Sequence, residues 1–185
     1  MIERFRIIFV FAVLLWVIEL INLALGHSLG QFGILPRTVS GLPGILLSPF
    51  LHGNPQHLGL NTLPILVLGF FMLTGGVRRC VEVSLTVIVL GGLFVWCVGR
   101  EAYHVGASGL IFGWFGFLIA DAWYQRSLRA VLVAVVTVIM YGGLIFGVLP
   151  SASYISWEAH LGGFIAGIAA ARIFNGSRGG RRRVT

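Results

Sequence analysis

Apolar residues run along this chain in blocks too long for the core of a soluble domain, with polar residues gathered in the short gaps between them. Six blocks stand out: Ile7–Leu25, Pro55–Leu73, Val81–Val98, Ala107–Trp123, Ala130–Leu149 and Trp157–Phe174. As helices rising 1.5 Å per residue they reach about 25–30 Å, enough for the hydrocarbon core of a bilayer. A lone strand cannot satisfy its backbone there, so the expected architecture is an all-α integral membrane bundle of six spanning helices. No internal repeat of fixed period is visible, which gives no support to a solenoid or an inverted-repeat transporter.

Composition sharpens that picture. Of 185 residues, 57% are hydrophobic and only 10% charged, against roughly 25% charged in soluble domains, and the mean hydropathy is +0.95. A water-soluble globule, a disordered chain and a coiled coil are excluded. All 13 basic residues are arginines, and the net charge is +7. Basic proteins are often nucleic-acid binders, but these arginines are thinly spread. Only Arg172, Arg178, Arg181, Arg182 and Arg183 cluster, in a basic tail over residues 175–185 and just before it. Anionic lipid headgroups are the expected partner of that tail, and nucleic acid is not. In a six-helix count, Arg4, Arg6, Arg78, Arg79, Arg126, Arg129 and the tail fall on one side, and only Arg37 and Arg100 on the other. The positive-inside rule then places both termini in the cytoplasm. Cys80 and Cys97 are too few for a disulfide framework and would lie about 25 Å apart along one helix.

Met1–Arg6 and the apolar run after it resemble a signal peptide. The run is long for one, however, and ends at Gly26-His27-Ser28 without a clear cleavage pattern, so a retained first helix is expected. The outer loop 26–54 contains Pro36, Pro43 and Pro49, which rule out one continuous helix. Leu42, Ile45, Leu46, Leu47, Phe50 and Leu51 make it too apolar to hang free, so it should pack on the helices or sink into the interface. Asn54-Pro55 reads as an N-cap followed by Pro at the first helical position, and Pro64 should kink the helix that follows.

Polar residues at membrane depth are expensive and usually face partners or a wet cavity. His57 and Asn61 open the second block, Ser108 the fourth and His160 the sixth. These three helices run in the same direction, so the residues share a depth in the outer half of the membrane. The i, i+4 spacing of His57 and Asn61 puts them on one face; each alone also reads as an interfacial or interhelical hydrogen-bonding group. Ser108 lies in Gly106-Ala107-Ser108-Gly109. The motif is weak alone, and Gly109 with Gly113 also fits a close-packing helix surface. The chemical reading is a nucleophile at a helix start, its free backbone N–H facing a developing oxyanion. If Gly109 and Gly113 meet Gly163 and Gly167, His160 comes beside Ser108, giving a minimal nucleophile–base pair. Asp121 lies about 20 Å down the helix from Ser108, and Glu158, at i−2, points off the face of His160. The pair is therefore a dyad. His104 and Arg100, in the loop before Ser108, would help wet a cavity opening outward.

His52-x4-His57-x3-Asn61, Gly106-Ala107-Ser108-Gly109 and Ala159-His160-Leu161-Gly162-Gly163 together resemble the rhomboid intramembrane serine proteases, over helices two to six. The resemblance implies a six-helix rhomboid-like bundle with Ser108 as nucleophile and His160 as general base. It implies an oxyanion hole of His57, Asn61 and the Ser108 N–H, with Gly109 and Gly163 as the contact that joins the dyad. It also implies single-span membrane proteins as substrates, cut near the outer face, and no cofactor or metal. Two positions depart from the pattern. Phe112 stands where some relatives place a Tyr packed on the base, keeping the stacking face without the hydroxyl. The first outer loop lacks the Trp-Arg pair of many relatives, leaving Arg37 or a different anchor to hold it.

Two rival classes stay in view. One is a non-catalytic scaffold that binds transmembrane clients, against which the presence of both Ser108 and His160 argues. The other is a small transporter or channel, which predicts more midplane charge than Glu19 and Asp121, each expected to pair across helices. An all-arginine, glycine-rich chain without an organelle signal fits a prokaryotic plasma membrane, the site facing outward.

Overall fold

The structure, a computed structural model, describes residues 2–150 and 155–181. Among these the regular elements are all helices: α1 (Ile2–Ala24), the single turn α2 (Gly44–Leu47), α3 (Pro55–Thr74), α4 (Val77–Val98), α5 (Ser108–Gln125), α6 (Leu128–Tyr141) and α7 (Trp157–Arg181). Four helical stretches are long and apolar enough to cross a membrane: Ile2–Ala24, Pro55–Thr74, Val77–Val98 and Leu128–Val148, the last joining α6 to the 3-10 turns that follow it. The more polar α5 and the glycine-rich α7 are not among them.

The boundaries shift from the expected ones for local reasons. The third block begins four residues earlier, at Val77, because Gly76 takes φ +102° and ends the preceding turn. Arg78 and Arg79 are thereby inside α4, where Arg79 pairs with Asp121 at 2.5 Å. The fifth block loses α-helical form at Gly142 and continues as 3-10 turns to Val148. The sixth runs on through the first part of the basic tail to Arg181; residues 182–185 lie outside the described part.

Loop 26–54 folds onto the helices as 3-10 turns at Ser28–Phe32, Val39–Gly41 and Ser48–Phe50 around α2. Ile34 and Ile45 are buried against Val95 of α4, and Ile34 exchanges backbone hydrogen bonds with His104. Arg37 and a tryptophan of α4 both anchor this loop. The Arg37 guanidinium donates to the Gly99 carbonyl at 2.7 Å, and Trp96 Nε1 donates to the Thr38 carbonyl at 2.8 Å. At the start of α3, Asn54 Oδ1 accepts from the His57 N–H at 2.8 Å, and Pro55 occupies the first turn. Pro64 lies inside α3, which is assigned as helix without a break from Pro55 to Thr74.

α5 is the axis of the molecule, with every residue from Leu110 to Leu118 buried. Its main neighbour is α7, and small residues make that approach possible. A side chain at Gly163 or Gly167 would run into the Gly109 or Gly113 carbonyl, so the two backbones meet directly. α4 joins the same seam, where a Cβ on Gly91 would sit 3.3 Å from Gly163 Cα. α6 is different, burying only Ala130 and Thr137.

Candidate active site

The glycine seam sets the ends of α5 and α7 side by side, and what stands there is Ser108 and His160. Ser108 Oγ lies 2.9 Å from His160 Nε2. The other ring nitrogen, Nδ1, lies 2.8 Å from the Gly147 carbonyl. A carbonyl can only accept, so in the neutral ring Nδ1 carries the hydrogen and Nε2 is free to accept the Ser108 proton. The ring is fixed from its face as well: Phe112 stacks on it with centroids 4.1 Å apart and planes 7° from parallel. Glycine at 147 leaves room for both rings, since a Cβ there would sit 2.7 Å from Phe112 Cζ and 3.3 Å from His160 Nδ1 and displace them.

Ser108 is the first residue of α5, so its N–H has no partner within the helix. Gly106, with φ +124°, delivers the chain into that turn. A Cβ on Gly106 would lie 2.7 Å from His57 Cε1, so the His57 ring sits against the Gly106 turn, two residues before Ser108. Asn61, one turn further along α3, is 7% exposed, and its Nδ2 has no hydrogen-bond partner. A buried amide donor without an acceptor costs about 1–3 kcal/mol, so Asn61 keeps a free donor at the start of α3. His57 packs edge-on against His52, centroids 5.2 Å apart. The His52 ring, 1% exposed, accepts the Ala107 N–H at Nε2 over 3.3 Å. Burial, with His57 close by as a second cause, lowers the His52 pKa from 6.5 to about 3.

The loop before Ser108 is fastened to the start of α7. Arg100 Nε pairs with Glu158 at 3.3 Å, and Arg100 also donates to the Ile155 carbonyl. His104 donates from Nε2 to the Arg100 carbonyl at 3.0 Å, which leaves Nδ1 to accept from Ser156 Oγ at 2.6 Å. Burial lowers the His104 pKa from 6.5, partly opposed by that carbonyl.

Gly109, Gly113, Gly163 and Gly167 line the helix contact and Phe112 covers the His160 ring. Glu158 is off the dyad and buried against Arg100. Asp121 pairs across helices with Arg79 and with Asn175 at 2.8 Å. Glu19 does not; its hydrogen bond is to Asn22 on its own helix, at 3.4 Å. Sequence reasoning missed the Gly147 carbonyl and the Ala107–His52 bond. Both use backbone groups, and no side-chain pattern marks them. Among the described residues no cluster of side chains could hold a metal ion.

A hydroxyl hydrogen-bonded to an oriented, neutral imidazole is the arrangement for nucleophilic attack on a carbonyl, with N–H donors alongside to receive the negative oxygen. Comparison with known proteins identifies the family. Residues 39–177 match the Rhomboid domain family. An uncharacterized protein of Mycobacterium tuberculosis is 38% identical over 177 residues, covering 91% of this chain and 74% of its own. A second, from Mycobacterium leprae, is 37% identical, covering 91% and 70%. RHOMBOID-like protein 4 of Arabidopsis thaliana is 30% identical over 141 residues, which span 71% of this chain and 34% of the plant protein.

Proposed function

The chain belongs to the rhomboid family, and from that premise we propose that it is an intramembrane serine endopeptidase cutting transmembrane segments of other membrane proteins near the outer face. The observation that carries this reading is the 2.9 Å contact between Ser108 Oγ and His160 Nε2, made by a ring whose other nitrogen is already committed to Gly147.

In this mechanism Ser108 Oγ attacks the scissile carbonyl carbon and its proton passes to His160 Nε2. The carbonyl oxygen becomes an oxyanion, held by the Ser108 N–H, the Asn61 amide and His57. Collapse of this intermediate breaks the peptide C–N bond, and His160 returns the proton to the departing amine. Water then attacks the acyl-enzyme with His160 again as base, releasing the acid and restoring Ser108. Each oxyanion donor contributes about 3–4 kcal/mol if it acts as in soluble proteases. Phe112 and the Gly147 carbonyl keep the imidazole at one angle through both half-reactions.

In our reading the bundle crosses the membrane six times, α1, α3, α4, α5, α6 and α7 each once, with both termini cytoplasmic and the dyad near the outer surface of a prokaryotic plasma membrane. The arginine-rich end of α7 then lies against anionic headgroups. Single-span membrane proteins are the substrates.

Fluorophosphonate labelling of the detergent-purified protein tests the nucleophile. The wild type should label, and Ser108→Ala and His160→Ala should not. Equal labelling of Ser108→Ala would move the nucleophile elsewhere. A folded wild type that does not label would favour a scaffold that binds transmembrane clients without cutting them.

A further inference from the structure

α1 stands apart from the catalytic helices. It packs mainly on α3, and it lies outside residues 39–177, where the family match falls. Yet its outer end carries Glu19 and Asn22, 1% and 0% exposed, which the mechanism above does not use. Polar side chains buried at this depth persist where they hold something in place.

What they hold can be followed atom by atom. Asn22 Nδ2 donates to Glu19 Oε2 and, at 3.0 Å, to the His52 carbonyl. Asn22 Oδ1 accepts the Leu29 N–H at 3.0 Å. One amide thus pins α1, the start of the outer loop and the His52 backbone together. His52 in turn accepts the Ala107 N–H, one residue before Ser108, and supports the His57 ring edge-on. Two turns deeper, Trp16 Nε1 donates to Thr62 Oγ1 at 3.1 Å, next in sequence to Asn61. α1 therefore grips the oxyanion wall at both of its residues, His57 through His52 and Asn61 through Thr62.

We propose that Glu19 and Asn22 are positioning residues: they fix His52, and through it the Ala107–Ser108 turn and His57, in the geometry that receives the oxyanion. Apolar packing alone would bury the same area but leave the His52 ring free to tilt. A hydrogen bond to its carbonyl and another to its ring nitrogen define its direction. The inference rests on the reading of Ser108 as nucleophile. It assigns α1 a part in catalysis at a distance, without contact to substrate.

The test uses the full chain in proteoliposomes with a single-span substrate. It compares wild type, Ser108→Ala, Glu19→Leu, Asn22→Leu, His52→Phe and His52→Gln, and reads kcat and KM separately, thermal midpoint, and hydrogen exchange at the Ala107 amide. Glu19→Leu, Asn22→Leu and His52→Phe should lose kcat about 10-fold or more with KM within about twofold. Exchange at Ala107 should quicken in the same three variants. His52→Gln, which offers an oxygen to the Ala107 N–H, should recover part of the kcat lost in His52→Phe. The inference is overturned if Asn22→Leu and His52→Phe keep wild-type kcat and exchange. It is also overturned if kcat falls only in step with thermal midpoint and with a rise in KM, the mark of general loosening. Should Asn22→Leu fail to fold, the His52 pair decides alone. A wild type no more active than Ser108→Ala would remove the nucleophile reading and this inference with it. Ser108-dependent cleavage with unaffected variants would remove only this one.

Discussion

The geometry around one imidazole accounts for how the proposed dyad would serve without a carboxylate. In His160 the hydrogen on Nδ1 is held by a backbone carbonyl, that of Gly147, and the ring plane by Phe112. A carbonyl fixes the tautomer as a carboxylate would, without adding a charge that must be buried in an apolar bundle. His52 shows the same economy, since its buried ring works as a neutral acceptor for the Ala107 N–H. That role has a pH signature. Folding holds the His52 pKa near 3 against 6.5 in the open chain, so between those values the unfolded state binds the extra proton. Stability from this group is complete above pH 6.5 and declines by about 1.4 kcal/mol per pH unit as the medium is acidified toward 3. His104 is shifted the same way. The thermal midpoint in detergent should therefore fall from pH 7 to pH 4.5, and fall less steeply in His52→Gln. Parallel slopes in the two proteins would show that His52 is not held neutral by the fold.

At the scale of elements, the α5–α7 seam decides whether the dyad exists at all. Ser108 and His160 are 52 residues apart in sequence, and the approach of two glycine-faced helices brings them within hydrogen-bond reach. Gly163 meets the Gly109 carbonyl with no room for a Cβ. Gly163→Ala should push the helices apart at the turn that carries the dyad. It should lower stability by about 1–3 kcal/mol and reduce kcat by more than tenfold, read by thermal unfolding and single-turnover cleavage. A Gly163→Ala enzyme with wild-type kcat would mean that the seam has slack and that the dyad is set by something else. α6 is the opposite case: an outward-facing helix with two buried residues, ending in the 3-10 segment that presents the Gly147 carbonyl to the base. The 3-10 segment that follows this sparsely packed helix therefore carries the contact that orients the His160 ring.

For the whole molecule, the legible parts and the illegible parts divide by the kind of group involved. Apolar length located the long helices, because burial against lipid or protein acts on every side chain in a block. Spaced glycines located the seam, because only close backbones need them. Asn54-Pro55 marked the start of α3 through its own cap. Three things were hidden. The pairing of Arg79 with Asp121 and Asn175 joins residues 42 and 96 positions apart in the chain. The partner of Glu19 was expected across helices and is three residues away on its own. The groups that orient His160 and support Ser108 are backbone atoms of Gly147 and Ala107, which any sequence would supply. Candidate chemistry could be read from the side chains, whereas the partners that hold those side chains, backbone or side chain, required the fold.

The central claim is that Ser108, activated by His160, hydrolyses a peptide bond within a membrane-spanning segment. Its most direct test is cleavage of a single-span substrate by purified protein in liposomes, with the cut bond located by mass spectrometry, for wild type, Ser108→Ala and His160→Ala. The account predicts one or a few cuts in the outer part of the span by the wild type, and at least a thousandfold loss in both variants. Undiminished cleavage by Ser108→Ala would contradict it.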